Sequence, residues 1–521
     1  MTSSNTGSEN APEWDVIIIG SGMGGMAAAC ALSRTGHKVL LLEQYDKLGG
    51  LTHSFSRNGF RWDAGIHYLS HLSPGTRERA MLDWLCDTPV EFAPIGPVFD
   101  ILHIGEAEPL SVSSPYEAHA MDLKERFPNE REAIDAWFAA VHRGRDAARI
   151  IFQTRSLQQP IAAALDGENG DEIKRWCGRT TLEVADEITD NEELKAAFFA
   201  QWGTHGGRPS LASFAIHATV AYSYLESGAV YPVGGASVIA EHMLPVIGAA
   251  GGEARAGCQV DQLLMEDGAV VGVRTADGEE IRAKAVISNI GAFETVNQLL
   301  PDGHGEDDWV DEIRAFGPSI CHFSLFLGFE GDIEAAGATK ANHWLFPNGE
   351  VDAVWGDAPD GSPPAMFLSF ASLKDPAHDP GARQAHSGEM MILTDWSAME
   401  EWVDRPPGER GERYEAFKAE VRAKAFAQFE AYFPELAEMV VFKELATPFS
   451  VVSTTRHRKG AFYGVEATPK RMLSDALRMK TPIEGLYLSG QDVATPGIPS
   501  ALWGGLLCAA NIEPDIFAHL A

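Results

Sequence analysis

Two unbroken apolar runs flank a stretch of small residues near the start of the chain: Val16 to Ile19, then Ala27 to Ser33, then Val39 to Leu42. The outer runs have the length and residue types of strands buried on both faces, and the middle stretch reads as a helix. Val16 to Ser33 is 18 residues without a charge, which on length alone suggests a membrane span. Glycines at 20, 22, 24 and 25 interrupt it and favour strand, tight turn and helix instead.

Further along, residues 54–68 alternate in the manner of a hairpin. From Leu82 to about Tyr224 the pattern is mainly helical, clearest at 123–130 and 134–141. Apolar positions mixed with Arg and Gln over 145–165 predict a core helix of a substrate domain, with a helix lying on a membrane interface as the alternative. Short strands joined by Asp267-Gly268 and Asp277-Gly278 turns follow over 260–287. Residues 321–329, 365–372 and 390–396 read as strands, and 412–432 as a long helix. Near the end, residues 484–493 form a buried strand that finishes in Gly490 and Asp492, and Ser500 to Ile512 is a helix of small residues. Alternating strands and helices place the chain in the α/β class, or α+β where the antiparallel pieces are counted.

A chain of 521 residues exceeds the size at which one core keeps growing, so two domains are expected. Lys+Arg of 41 against Asp+Glu of 74 gives a net charge of −33, which argues against a nucleic-acid partner and against electrostatic docking on anionic lipid. The six cysteines contain no C-x-x-C, so neither a zinc site nor a disulfide framework is predicted, no metal is expected, and a reduced cytoplasm fits. Residues 1–13 are polar with no apolar core and read as a disordered tail, not a signal peptide.

The chemistry lies in the turn after the first strand. Gly20 permits the turn, Gly22 lets backbone approach a pyrophosphate, Gly25 lets the helix pack close, and Gly24 belongs to the same loop. Glu43 stands 18 residues beyond Gly25, where an acid accepts hydrogen bonds from a ribose and disfavours a 2′-phosphate; this predicts FAD or NAD over NADP. G-x-G-x-x-G occurs once, so no second site for a nicotinamide is indicated. Hydrolase, zinc-protease and P-loop motifs are absent from the sequence.

Together with the following Gly49-Gly50, the D-x-G-x-H at Asp63, Gly65 and His67, Gly234-Gly235, and the segment from Gly485 to Asp492 with its helix, this motif resembles the flavin-dependent amine oxidase and phytoene desaturase superfamily. Thr447-Pro448 and residues 457–464 make it more similar to the retinol saturase and carotenoid isomerase branch. The resemblance implies a Rossmann-type FAD-binding domain assembled from residues 14–75, 226–298 and 447–521, and a substrate domain of mixed sheet and helix from 76–225 and 299–446. It implies FAD held by Gly20, Gly22, Gly24, Gly25, Glu43, Gln44, Gly49, Gly50, Leu51, Thr52, Val260, Gly490, Asp492, Ile498, Pro499 and Ser500. The family often carries Arg where Leu51 stands, so a phosphate contact by that arginine has no counterpart here.

For function the resemblance implies saturation, desaturation or cis-trans isomerisation of a C=C bond in a polyene, retinoid, carotenoid or unsaturated acyl lipid, with His67 and Tyr68 as the candidate catalytic residues and His457 and Tyr463 behind them. Burying about twelve to twenty CH₂ equivalents at roughly 0.8 kcal/mol each supplies on the order of 10 to 16 kcal/mol before ordering costs, so such a substrate needs no charged anchor. The flavin then exchanges electrons with the organic substrate or an outside electron donor or acceptor, and a peripheral membrane contact stays open. The alternatives are a flavin amine oxidase and a non-catalytic lipid-binding chaperone of the Rab-escort type.

Overall fold

The computed structural model describes residues 13–157, 159–301, 303–304, 308–358 and 361–520. The expected tail at 1–13 lies outside the described residues except for Glu13. Two seven-stranded sheets organise the chain. The first opens with β1 (Trp14–Ile19), α1 (Met23–Arg34) and β2 (Val39–Leu42). β1 pairs in parallel with β2 on one side and with the strand Glu280–Ser288 on the other. β2 continues in parallel to Glu253–Arg255, and Glu280–Ser288 to Leu486–Leu488, so the last strand of the chain enters the first sheet. Val260–Glu266 and Ala269–Thr275 complete it as the antiparallel meander expected from the Asp-Gly turns.

Every residue of α1 but the last is buried. Its glycines and alanines are what allow this. A Cβ on Gly25 would stand 2.1 Å from the Gly20 carbonyl oxygen, and one on Gly505, in the helix Ile498–Ala510, would stand 2.1 Å from the Gly24 carbonyl oxygen. α1 is therefore clamped between β1 and the C-terminal helix at distances that side chains forbid.

The second sheet is largely antiparallel, in the order Val440–Ala446, Cys321–Glu330, Ala385–Thr394, Met366–Ser369, Asn342–Phe346, Val98–Ile104, Leu110–Ser113. Two of these strands correct the expectation of a mainly helical stretch from Leu82. Val98–Ile104 pairs in parallel with Asn342–Phe346, more than two hundred residues away, a crossover that local periodicity cannot reveal, and Asp100 breaks its apolar run. The single helix expected over 145–165 is also corrected. Arg131–Ser156 ends before a second helix, Gln159–Cys177, begins, and Pro160 has no N–H with which to extend the first. Ala147, Ala148 and Ile151 bury one face of the first helix, which is the core reading. Residues 365–372 divide into the strand Met366–Ser369 and the short helix Ala371–Lys374. Among the described residues no helix is long and apolar enough to cross a membrane, and no cluster of side chains is suited to a metal.

Within the second sheet Glu389 is 5% exposed, and burial, with Asp63 nearby, pushes its carboxyl up to about 8 from an ordinary 4.5. The folded chain thus keeps a proton that the unfolded chain releases, so this group's contribution to stability is complete below pH 4.5 and is lost as pH rises through about 8. Glu389→Gln is expected to flatten the decline in thermal midpoint over that interval, read by calorimetry at a series of pH values; an unchanged slope would contradict it.

Candidate functional site

One cavity of about 770 Å³ runs from the β1–α1 turn to the second sheet, within the range of small-molecule and cofactor sites. Gly20, Gly22, Gly24, Glu43, Gln44, Gly49, Gly50, Leu51, Thr52, Val260, Gly490, Ile498, Pro499 and Ser500 all line it, as do His67 and Tyr68. Gly25 and Asp492 lie behind the lining.

Two helix N-termini open on this cavity. α1 begins after Gly22, and Ile498–Ala510 after Gly497; neither start has a side-chain cap, which leaves first-turn N–H groups available to an anion or a carbonyl. Gly22 is the point of closest approach: a Cβ there would meet only Asn289 Nδ2, at 3.1 Å, and otherwise project into open space. Gly49 and Gly50 adopt φ of +105° and +60°, and a Cβ on Gly50 would press on Gly22 Cα at 2.9 Å. The two glycine turns are packed on each other to form the cradle.

Glu43 lines the cavity and also braces the turn. Its Oε2 accepts from Ser21 N at 2.9 Å and Ser21 Oγ at 2.7 Å, and its Oε1 accepts from Tyr45 N at 2.9 Å. A carboxylate offers about four acceptor positions, so the brace leaves room for a ribose hydroxyl. Asp492 has a different place: Oδ2 accepts from Ala292 N at 2.8 Å and Oδ1 from Val465 N at 2.9 Å, and it is 3% exposed. It ties three distant segments behind the cradle.

Sequence reasoning passed over Asn289, which leaves the strand Glu280–Ser288 and donates to the Gly20 and Gly22 carbonyl oxygens at 3.4 Å each. Its Oδ1 is buried without a partner and lines the cradle where Gly24 meets Gly490. An orphaned acceptor beside two uncapped helix starts and a tight glycine turn fits a phosphate-linked, hydroxyl-bearing group such as a flavin dinucleotide. The only local signal was the Ser288-Asn289 that ends an apolar run.

At its other end the cavity becomes an aromatic chamber. His67 meets Phe367 at 5.0 Å between ring centres, Tyr68 meets Tyr224 at 4.5 Å with the rings tilted by 30°, and Phe367 meets Trp344 at 4.7 Å. Met391 and Leu393 complete the wall, with Phe462 and Tyr463 also in the lining. The carboxylates lining the cavity among the described residues are Glu43, Glu78 and Glu294, and each accepts from a protein donor: Glu43 from Ser21, Glu78 from Trp503, Glu294 from Arg458 N. His67 Nε2 is buried without a partner. Burial, Lys374 and His322 push its imidazole down to about 3, so it stands neutral. Tyr463 is raised above the ordinary tyrosine range by burial, and His457 is tethered through Nδ1 to the Ala461 carbonyl oxygen at 3.0 Å.

A family model described as flavin containing amine oxidoreductase matches residues 23–513. The chain is 30% identical to an all-trans-retinol 13,14-reductase of Danio rerio over 96% of its own length and 86% of that protein's. It is 26% identical to the chloroplastic prolycopene isomerase of Arabidopsis thaliana, over 96% and 83% respectively. In fold it resembles the cyclohexylamine oxidase of Brevibacterium oxydans, with a TM-score of 0.61 at 16% identity, covering 96% of this chain and all of that one. The uncapped glycine cradle and the matches over nearly the whole chain agree: this protein is an oxidoreductase of the flavin-containing amine oxidoreductase family, grouped within it with the retinol reductases and prolycopene isomerases.

Proposed function

We propose that the protein uses FAD to saturate, desaturate or isomerise carbon–carbon double bonds of a hydrophobic polyene, of the retinoid, carotenoid or unsaturated acyl class. The observation that carries this reading is the chamber: aromatic, without a carboxylate of its own, and continuous with the flavin cradle. An elongated apolar substrate is held there by burial and ring contacts alone. The carboxylates that line the cavity, Glu43, Glu78 and Glu294, already hold protein donors, which ranks the amine-oxidase alternative second. The intact cradle ranks a non-catalytic lipid chaperone third.

In this reading segments 14–75, 226–298 and 447–521 hold the dinucleotide and 76–225 with 299–446 enclose the substrate. Gly20, Gly22, Gly49, Gly50 and Gly490 supply backbone to it, Glu43 takes the adenosine ribose, and Ile498 to Ser500 present a helix start to the ring system. FAD, when bound, supplies hydride chemistry. His67, held neutral, offers Nε2 as a hydrogen-bond partner near the reacting carbons. Tyr68 keeps its hydroxyl proton at all ordinary pH because burial and Asp100 raise it well above the tyrosine range. Electrons pass between the flavin and the substrate or an outside carrier.

Heat-released cofactor from the purified protein is expected to be FAD by mass, and a panel of primary amines should neither bleach the bound flavin nor yield hydrogen peroxide. Release of FMN, or bleaching by an amine, would contradict the reading.

A further inference from the structure

Beneath the chamber floor a set of polar side chains is sealed from solvent. Asp100, in the strand Val98–Ile104, stands opposite Asn342 in the parallel register, and both are 0% exposed. Asp100 Oδ1 accepts from Asn342 Nδ2 at 2.9 Å, and Oδ2 accepts from the Tyr68 hydroxyl at 3.1 Å and from Gln201 Nε2 at 2.5 Å. Asn342 Oδ1 in turn accepts from Lys374 Nζ. That ammonium also donates to Ser369 Oγ at 2.7 Å and to the His67 carbonyl oxygen at 2.9 Å. A buried acid and a buried amine are thus joined through one amide, and the amine grips the segment that carries His67 and Tyr68.

Burying two ionisable groups is an expensive way to stabilise a core, since apolar residues of similar volume serve as well or better. The arrangement has a direction. Of the three groups that donate to Asp100, only Tyr68 lines the cavity; Gln201 and Asn342 do not. The Tyr68 ring lines the cavity and is held against Tyr224, at 4.5 Å, and Phe367, at 6.1 Å and 13° between planes, while its hydroxyl is held on Asp100.

We propose that Asp100 is the positioning residue for the proton half of the reaction: it aims the Tyr68 hydroxyl and stores the proton that replaces the one Tyr68 gives to the substrate, while Lys374 balances its charge through Asn342. This rests on the double-bond reading above. In the saturating direction the π electron pair of the substrate would form a C–H bond with the Tyr68 proton, and FAD, once bound and reduced, would supply the hydride for the second carbon. The O–H bond of Tyr68 is re-formed with the proton of the Asp100 carboxyl, which is left as carboxylate. Desaturation runs the same transfers backwards.

The other groups facing the network leave the titration to this pair. Burial pushes Asp100 up to about 6 and Lys374 down to about 7, whereas His67 and His343 are both pushed to about 3. Tyr224 and Tyr463 are raised above their ordinary range, and Gln201, Asn342, Ser369 and Trp344 do not ionise. The network therefore carries one proton more below about pH 6 and one fewer above about pH 7, and the saturating step, which draws on the Asp100 proton, should be fastest below about pH 6 and fall as pH rises through it.

The test has two arms on the holoenzyme. Infrared difference spectra taken between about pH 5 and pH 8 without substrate should show a protonated-carboxyl band that titrates near 6, is missing in Asp100→Asn, and titrates at higher pH in Lys374→Met, where the stabilising charge is gone. A band that is present unchanged in Asp100→Asn, or that ignores Lys374→Met, overturns the proposal. In the second arm dithionite-reduced enzyme is mixed anaerobically with all-trans-retinol. Asp100→Asn and Tyr68→Phe should each slow reoxidation at saturating retinol by about 100-fold with half-saturation changed less than about threefold, and the double variant should be no slower than the slower single one. Wild-type reoxidation with Asp100→Asn within about threefold of it overturns the positioning role alone. Wild-type enzyme that, with its flavin reduced or oxidised, leaves retinol, prolycopene and a polyunsaturated fatty acid all chemically unchanged overturns the double-bond reading, and the catalytic role with it, whatever the infrared band does.

Discussion

Gly25→Ala is expected to abolish stable folding, whereas Gly22→Ala, three residues earlier, should fold normally and lose flavin affinity alone. The difference lies in what each new Cβ meets. At Gly25 it would stand 2.1 Å from the Gly20 carbonyl oxygen and also press on the Asn289 side chain, and the Gly20 backbone cannot yield without parting α1 from β1; a loss above about 4 kcal/mol, beyond the ordinary cost of overpacking, is expected. At Gly22 it meets Asn289 Nδ2 at 3.1 Å and then the open cradle, so the fold tolerates it and the pyrophosphate does not, with an expected loss of about tenfold or more in flavin affinity. Circular dichroism with flavin titration of both variants separates the two. Equal behaviour would mean that the glycines act only as a structural turn.

Asp492→Ala should destabilise the flavin-free protein by roughly 2 to 5 kcal/mol, because it strands the buried N–H groups of Ala292 and Val465. Asparagine would not restore the tie, since its NH₂ would face one of those two donors. Thermal denaturation of apo-protein is the deciding measurement. A residue that served only to contact ribityl or phosphate hydroxyls would leave the apo midpoint where it was and weaken flavin retention; a fall of several degrees without flavin assigns Asp492 to the frame of the cradle.

This residue also marks where sequence reasoning stopped being sufficient. The position of Asp492 after a buried strand was legible, but the partners that use up its acceptors come from residues 292 and 465, which no local pattern connects. The cradle was legible because its parts are local: strand, glycine turn, helix and the acid at the end of β2 lie within thirty residues. The chamber was not. Its walls are drawn from Tyr68, Tyr224, Trp344, Phe367 and Met391, each an ordinary apolar position in its own element, and they meet only because Val98–Ile104 crosses over to Asn342–Phe346. Asp100 shows the same effect in sharper form. It disguised a strand by breaking its apolar run, and the polar partners that make it tolerable, Gln201 and Asn342, come from other elements. His67 was found through the family motif, yet its neutrality depends first on burial and then on Lys374 and His322, both far along the chain.

The central claim is that the flavin acts on a carbon–carbon double bond. Protein reduced with dithionite under argon and given all-trans-retinol tests it directly, with the flavin absorbance and the mass of the extracted lipid followed together. Return of the oxidised flavin spectrum in step with a lipid two hydrogens heavier is the predicted result; reduced flavin that stays reduced beside unchanged retinol and unchanged prolycopene, yet is formed by an amine in the oxidised protein, would contradict it.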